Sequence, residues 1–181
     1  MDNREKLILT KLGHGFYEFS FDNRIFGKLL FKNGEWKHWY SNAVLQEEGK
    51  YTIVTIKRKN KTLDNEIKKS GKDGKWFMYS KFDASIVSEE SYKNGEKSGT
   101  WKYYYPGGQI VSSEINYKNG ILDGAFKSYS RTGIPTSEVN YKKSVKHGDT
   151  VIFDKNGKEI KRIKFKDGFK VVKTGTRYSP Y

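Results

Sequence analysis

The chain has 181 residues, 35% of them hydrophobic and 15% aromatic, with a formal charge of +14 and no cysteine. An apolar share below the usual 45–50% or so argues against a thick core, and the wealth of rings argues against disorder. The missing cysteines exclude disulfides and thiolate metal sites, and suit a reducing compartment.

Thirteen Tyr, 11 Phe and 4 Trp stand beside 18 Gly and only 3 Pro, a β-rich profile in which large flat rings supply most of the burial. The first eleven residues hold three consecutive apolar residues, Leu7-Ile8-Leu9. A signal peptide needs about 7–15 and a membrane span about 20. A soluble, cytoplasmic protein is expected. The net charge favours acidic partners; alternatively, lysines coat exposed strands and block edge-to-edge aggregation.

Residues 1–66 are irregular. Phe16–Phe21 and Phe26–Phe31 read as strands around a turn at Asp22-Asn23-Arg24, and Phe31-Lys-Asn-Gly34 opens a segment containing Trp36, Trp39 and Tyr40. A short helix is expected near Ala43–Glu48. Tyr51–Ile56 is a β-branched strand, Lys57–Lys61 a basic turn and Leu63–Ile67 a return strand, together an enlarged hairpin inserted among degenerate repeats.

Residues 67–170 repeat. Aromatic anchors stand at Tyr92, Tyr117, Tyr141 and Phe165, in steps of 25, 24 and 24, with Ile67 read as the anchor of the first copy. Seven residues after each anchor comes a glycine: Gly74, Gly99, Gly124, Gly148. An aromatic follows five later: Tyr79, Tyr104, Tyr129, Phe153. A turn residue comes next: Asp83, Gly108, Gly133, Gly157. An acid precedes most anchors: Glu89, Glu114, Glu138, with Arg162 in the last copy. A period in this range marks a repeat architecture. About six residues between glycine and turn make one strand, so each copy is a β-hairpin. The hairpins stack edge to edge into a single-layer antiparallel meander, all-β and elongated. Residues 171–181 leave the pattern and read as a capping strand and tail.

Tyr92-Lys-Asn-Gly-Glu-Lys-Ser-Gly-Thr-Trp-Lys-Tyr-Tyr-Tyr-Pro-Gly-Gly108 resembles a MORN-type repeat, closest to the variant form of bacterial antitoxin-like repeat proteins. The resemblance runs from Ile67 to Lys170 and, weakly, from Gly13 to Trp39. It implies a curved single-layered sheet of hairpins used as an interaction platform. It brings no catalytic residues. Relatives of this type are associated with antitoxin roles, membrane lipids and protein assembly. Ser70, Ser144 and Thr150 depart from the pattern.

Chemistry is sparse. His14 and His147 precede the repeat glycines, where other copies hold Asp73, Ser98 and Asp123, so they read as polar turn residues; with His38 they match no zinc spacing. Gly13-His-Gly15 and Pro106-Gly-Gly108 lack the context of a phosphate loop. Glu47-Glu48 and Glu89-Glu90 are strand neighbours that point to opposite faces, poorly placed for acid–base work. No enzyme activity, cofactor, metal or small-molecule substrate is expected. Segments 50–81 and 144–181 carry net charges of +7 and +6 with interleaved rings. The expected function is non-catalytic binding of an acidic partner protein, with a toxin or effector implied by the resemblance; nucleic acid or an anionic membrane surface is the alternative partner. The candidate contact residues are Trp36, Trp39, Tyr40, Lys57, Arg58, Lys59, Trp76, Trp101, Tyr103, Arg177 and Tyr178.

Overall fold

A computed structural model describes the backbone of residues 8–13, 16–21, 24–29, 33–60 and 63–172, with side chains from 33–54 and 69–172. The described chain is all-β. Strands β1 (Ile8–Gly13), β2 (Phe16–Phe21) and β3 (Arg24–Leu29) form a three-stranded antiparallel sheet in sequence order. The remaining strands form one open antiparallel sheet of twelve. They are β4 (Gly34–Trp39), β5 (Leu45–Asn60), β6 (Leu63–Tyr79), β7 (Ile86–Lys93), β8 (Glu96–Lys97), β9 (Gly99–Tyr104), β10 (Val111–Lys118), β11 (Ile121–Tyr129), β12 (Pro135–Lys142), β13 (Val145–Phe153), β14 (Glu159–Lys166) and β15 (Phe169–Lys170). Each strand pairs with its neighbours in sequence, β8 adding a short rung to β7. The expected meander of hairpins is therefore observed.

Register sets the repeat frame. Gly34, Gly74, Gly99, Gly124 and Gly148 lie opposite Tyr51, Tyr92, Tyr117, Tyr141 and Phe165. The array thus begins at Gly34, and residue 67 lies inside β6. Tyr51 pairs with Lys72 as Tyr92 pairs with Lys97 and Tyr141 with Lys146. Tyr51, not Ile67, is the anchor of the first regular copy. Ile67 pairs instead with Ile56, in an arm whose strands run from Thr52↔Gly71 out to Asn60↔Leu63. The arm replaces the tight turn of the other copies. The expected helix at 43–48 is absent: Leu45–Glu48 pair with β4, and pairing with β6 begins at Glu47. Cross-strand partners on both sides outweigh the helix propensity of these few residues. The basic turn is also narrower than expected, since Lys57, Arg58 and Lys59 belong to β5.

Two turn types build the ends. On one side, Asn94-Gly95, Asn119-Gly120, Lys143-Ser144 and Asp167-Gly168 all have positive φ at both residues. That is the twist a two-residue hairpin requires. The second residue of each turn donates its backbone N–H to the copy before: Gly95 to Lys72 O at 2.8 Å, Gly120 to Lys97 O at 2.9 Å, Ser144 to Leu122 O at 2.7 Å, Gly168 to Lys146 O at 2.9 Å. These bonds lock consecutive copies in step. The polar slot read from sequence caps the same turns. Asp73 accepts from Asn94 N, Asp123 from Lys143 N, and His147 Nδ1 from Asp167 N.

Burial is thin. Among the described residues the buried apolar side chains are Trp76, Trp101 and Val151. Alternation along each strand separates two faces. One carries the rings at Trp36, Trp76, Trp101 and Phe126. The other carries Lys37, Glu48, Glu89, Lys102, Glu114, Lys127 and Glu138. Trp76 lies across from Gly49, where an added Cβ would come within 2.4 Å of the ring.

Candidate functional site

The ring face is a ladder of edge-on and tilted contacts. Trp36 meets Tyr51 at 5.9 Å, Tyr51 meets Trp76 at 4.7 Å, Tyr92 meets Trp101 at 5.1 Å and Trp101 meets Tyr117 at 5.2 Å. These centroid distances suit favourable ring pairs, about 0.5–1.5 kcal/mol each beyond burial. Both buried indoles satisfy their N–H groups, Trp76 on Lys50 O at 3.0 Å and Trp101 on Ser91 O at 2.8 Å. Lysines lie over the rings. Lys72 Nζ is 4.0 Å from the Trp76 ring and 5.4 Å from Tyr92; Lys97 Nζ is 4.2 Å from Trp101 and 4.8 Å from Tyr117. They cover the ladder with positive charge.

A polar knot interrupts this face. Glu90 is buried, opposite Trp76, in the row that holds Ile115, Val139 and Ile163 in other copies. Tyr92 Oη donates to it at 2.7 Å and the buried Ser88 Oγ at 3.3 Å. Burial, with the Glu90 carboxylate beside it, pushes the Tyr92 hydroxyl far up, so this phenol stays a donor at all ordinary pH. Burial and Glu90 raise Tyr103 as well. Nearby, Glu47 meets His38 Nδ1 at 2.7 Å and accepts from Lys72 at 2.8 Å. Burial pushes the Glu47 carboxyl up, but Lys72 and His38 outweigh it and hold it below the usual range.

The opposite face is a ladder of alternating charge. Lys37 meets Glu48 at 3.0 Å, Lys102 meets Glu114 at 3.6 Å, Lys127 meets Glu138 at 3.7 Å and Arg162 meets Asp149 at 2.7 Å. The acids also hold tyrosines. Tyr79 donates to Glu48 at 2.6 Å, Tyr104 to Glu89 at 2.6 Å and Tyr129 to Glu114 at 3.1 Å. Partial burial first, then the carboxylate, pushes each of these phenols up to about 12. Glu48, Glu89 and Glu114, each three residues before an anchor, are therefore clamps for tyrosines, whereas Glu138 meets Lys127.

The candidate contact residues divide accordingly. Trp76 and Trp101 are 0% and 3% exposed, so neither offers a ring to a partner; they are the core. Trp36 and Tyr103 are half-buried on the same face. Trp39 is 57% exposed and, by alternation along β4, lies on the other face. Tyr40 staples the turn end, its hydroxyl donating to Tyr79 O at 3.1 Å. Lys57 and Lys59 sit opposite Glu66 and Asp64 in the arm's register, leaving Arg58 opposite Asn65. Arg177 and Tyr178 lie outside the described residues. The sequence reading missed Glu90, although its interruption of an apolar row is visible once the copies are aligned. It also missed the stacked Lys72 and Lys97, whose places only the register reveals.

The MORN repeat variant family matches residues 97–119 and 122–143, two adjacent copies. Repeats of this kind commonly act as binding modules for proteins or membranes. No curated protein and no solved structure matches the chain significantly.

Proposed function

We propose that the chain is a non-catalytic binding protein that holds an acidic partner protein against its ring face, in the manner of an antitoxin or immunity protein neutralising a toxin or effector. One observation carries this reading. Among the described residues no second layer covers the face, and the half-buried rings of Trp36, Tyr51, Tyr92, Tyr103 and Tyr117 lie along it, with the ammonium groups of Lys72 and Lys97 over Tyr92 and Tyr117. Aromatics are the usual anchors of an interface, and Lys97, with no carboxylate partner among the described residues, steers acidic surfaces toward them, while Lys72 is held by Glu47. The deciding experiment is affinity capture of the tagged protein from its native cell, with and without nuclease. A stoichiometric protein that survives nuclease and is lost with Trp36→Ala/Tyr103→Ala supports the reading. Recovery of nucleic acid alone overturns it.

A second reading, binding of nucleic acid or anionic lipid, draws on a shallow depression between two copies. It is lined by Lys118, Lys142, Lys143 and Lys164, while its carboxylates are engaged, Asp123 on Lys143 N and Asp149 on Arg162. Salt separates the two: polyanion binding weakens steeply with log salt, whereas an interface of rings persists.

A further inference from the structure

We propose that the open edge of β14 is a docking site for an extended acidic segment of a partner protein, which adds to the sheet as a further antiparallel strand. The inference rests on the protein-binding reading above and identifies how part of the partner is held.

Strand β14 pairs with β13 along one side, from Gly148↔Phe165 to Phe153↔Glu159. On the other side β15 covers only Phe165 and Lys166, and Val171 N donates to Lys164 O at 2.7 Å. That last bond fixes the direction of the backbone. The Lys164 carbonyl points away from β13, and the antiparallel alternation turns the peptide groups of Arg162 the same way. A β-bulge at Ile160 interrupts the alternation, and Glu159, next to the Lys158 carbonyl that accepts from Asp154 N, faces outward again. No other described residue pairs with that stretch. A row of unpaired N–H and C=O groups is a template for another chain.

The side chains define the guest. Lys161, Lys164 and Lys166 on β14, and Lys170 on β15, have no carboxylate partner among the described residues. Arg162 is the exception, held by Asp149 and Glu159. Exposed apolar groups border the same edge: Ile160 is 63% exposed, Phe169 80% and Val172 72%. A strand alternating acidic and apolar residues complements this edge. A second copy of β14 does not, because it sets lysines beside lysines, and like charges directly opposite destabilise a strand pair. The same charges that prevent self-pairing thus admit an acidic strand.

The test follows amide hydrogen exchange by NMR in the full chain. The probe is an acetylated eight-residue peptide of alternating Asp and Val, with a Lys-Val peptide as control. In the free protein the amides of Glu159 and Arg162 exchange rapidly. The Asp-Val peptide slows them by about tenfold or more, as for a site mostly filled by a strand, and the control leaves them unchanged. Glu159→Pro removes an outward N–H that no other described strand uses, in the slot that Pro135 fills in the preceding copy, a substitution an edge tolerates. It keeps the melting temperature and lowers peptide affinity by about tenfold, the loss of a single good contact. Lys161→Glu/Lys164→Glu reverses the preference toward the Lys-Val peptide. The proposal is overturned if these amides are already protected in the free protein, if the Asp-Val peptide protects other strands or none, or if protection follows self-association in light scattering. A captured partner lost with Trp36→Ala/Tyr103→Ala but kept by Glu159→Pro leaves the ring-face reading standing and refutes the edge.

Discussion

Trp101→Ala probes whether the ladder of rings holds the array together. The indole is 3% exposed, lies 5.1 Å from Tyr92 and 5.2 Å from Tyr117, and donates to Ser91 O at 2.8 Å. A ring burying about 150–250 Å² is worth at most about 4–6 kcal/mol at ~25 cal/mol/Å². Large-to-small changes of this kind cost about 3–5 kcal/mol once relaxation is included. The sheet has no opposite layer among the described residues to collapse into the hole, so the upper half of that range is expected. In a repeat array the loss falls on the copy and its neighbours. Urea denaturation measures the total, and amide exchange shows whether β7, β9 and β10 open first. Trp36→Ala, at a half-buried ring, costs at most about 2–3 kcal/mol by the same area reasoning. Equal losses at Trp36 and Trp101, or a loss below about 1 kcal/mol at Trp101, would refute the idea that the buried indoles are the core.

Three further outcomes are expected. The buried Thr150 Oγ1 has no hydrogen-bond partner among the described residues, so Thr150→Val stabilises the C-terminal copies by about 1 kcal/mol, read as a higher urea midpoint with unchanged m-value. Ser144 holds φ 65° in a turn position where three other copies have glycine; Ser144→Gly relieves left-handed strain of about 1 kcal/mol and raises the melting temperature by a few degrees. Tyr79, Tyr104 and Tyr129 titrate at about 12 when folded, above the ordinary value of 10.0. The folded state holds these protons more tightly than the unfolded chain. Their stabilisation is therefore complete below about pH 10 and is lost as pH rises toward 12. The Tyr79→Phe/Tyr104→Phe/Tyr129→Phe variant shows a shallower fall of melting temperature over that window. It stays above zero because Tyr51, Tyr92 and Tyr103 are raised as well.

The period, the hairpin unit, the all-β class and the meander were legible in the residues, because anchors, glycines and turn residues recur at local spacings that a two-stranded unit imposes. The role of the slot at Asp73, Asp123 and His147 was legible for the same reason: a turn cap acts over a short, repeated distance. The outer frame was not. Tyr51 became the first regular anchor only when its pairing with Lys72 was seen, because the arm between them shifts the spacing. Nor could spacing separate ring from ring. Trp76 and Trp101 look like Trp36 in sequence, yet neighbours on both sides bury them while Trp36 stays half-open. Glu90, Lys72 and the β14 edge depend on which strands lie beside them. Periodicity in a chain specifies the unit and its stacking; exposure, charge pairing and open edges are properties of neighbours, and these exist only after the strands have met.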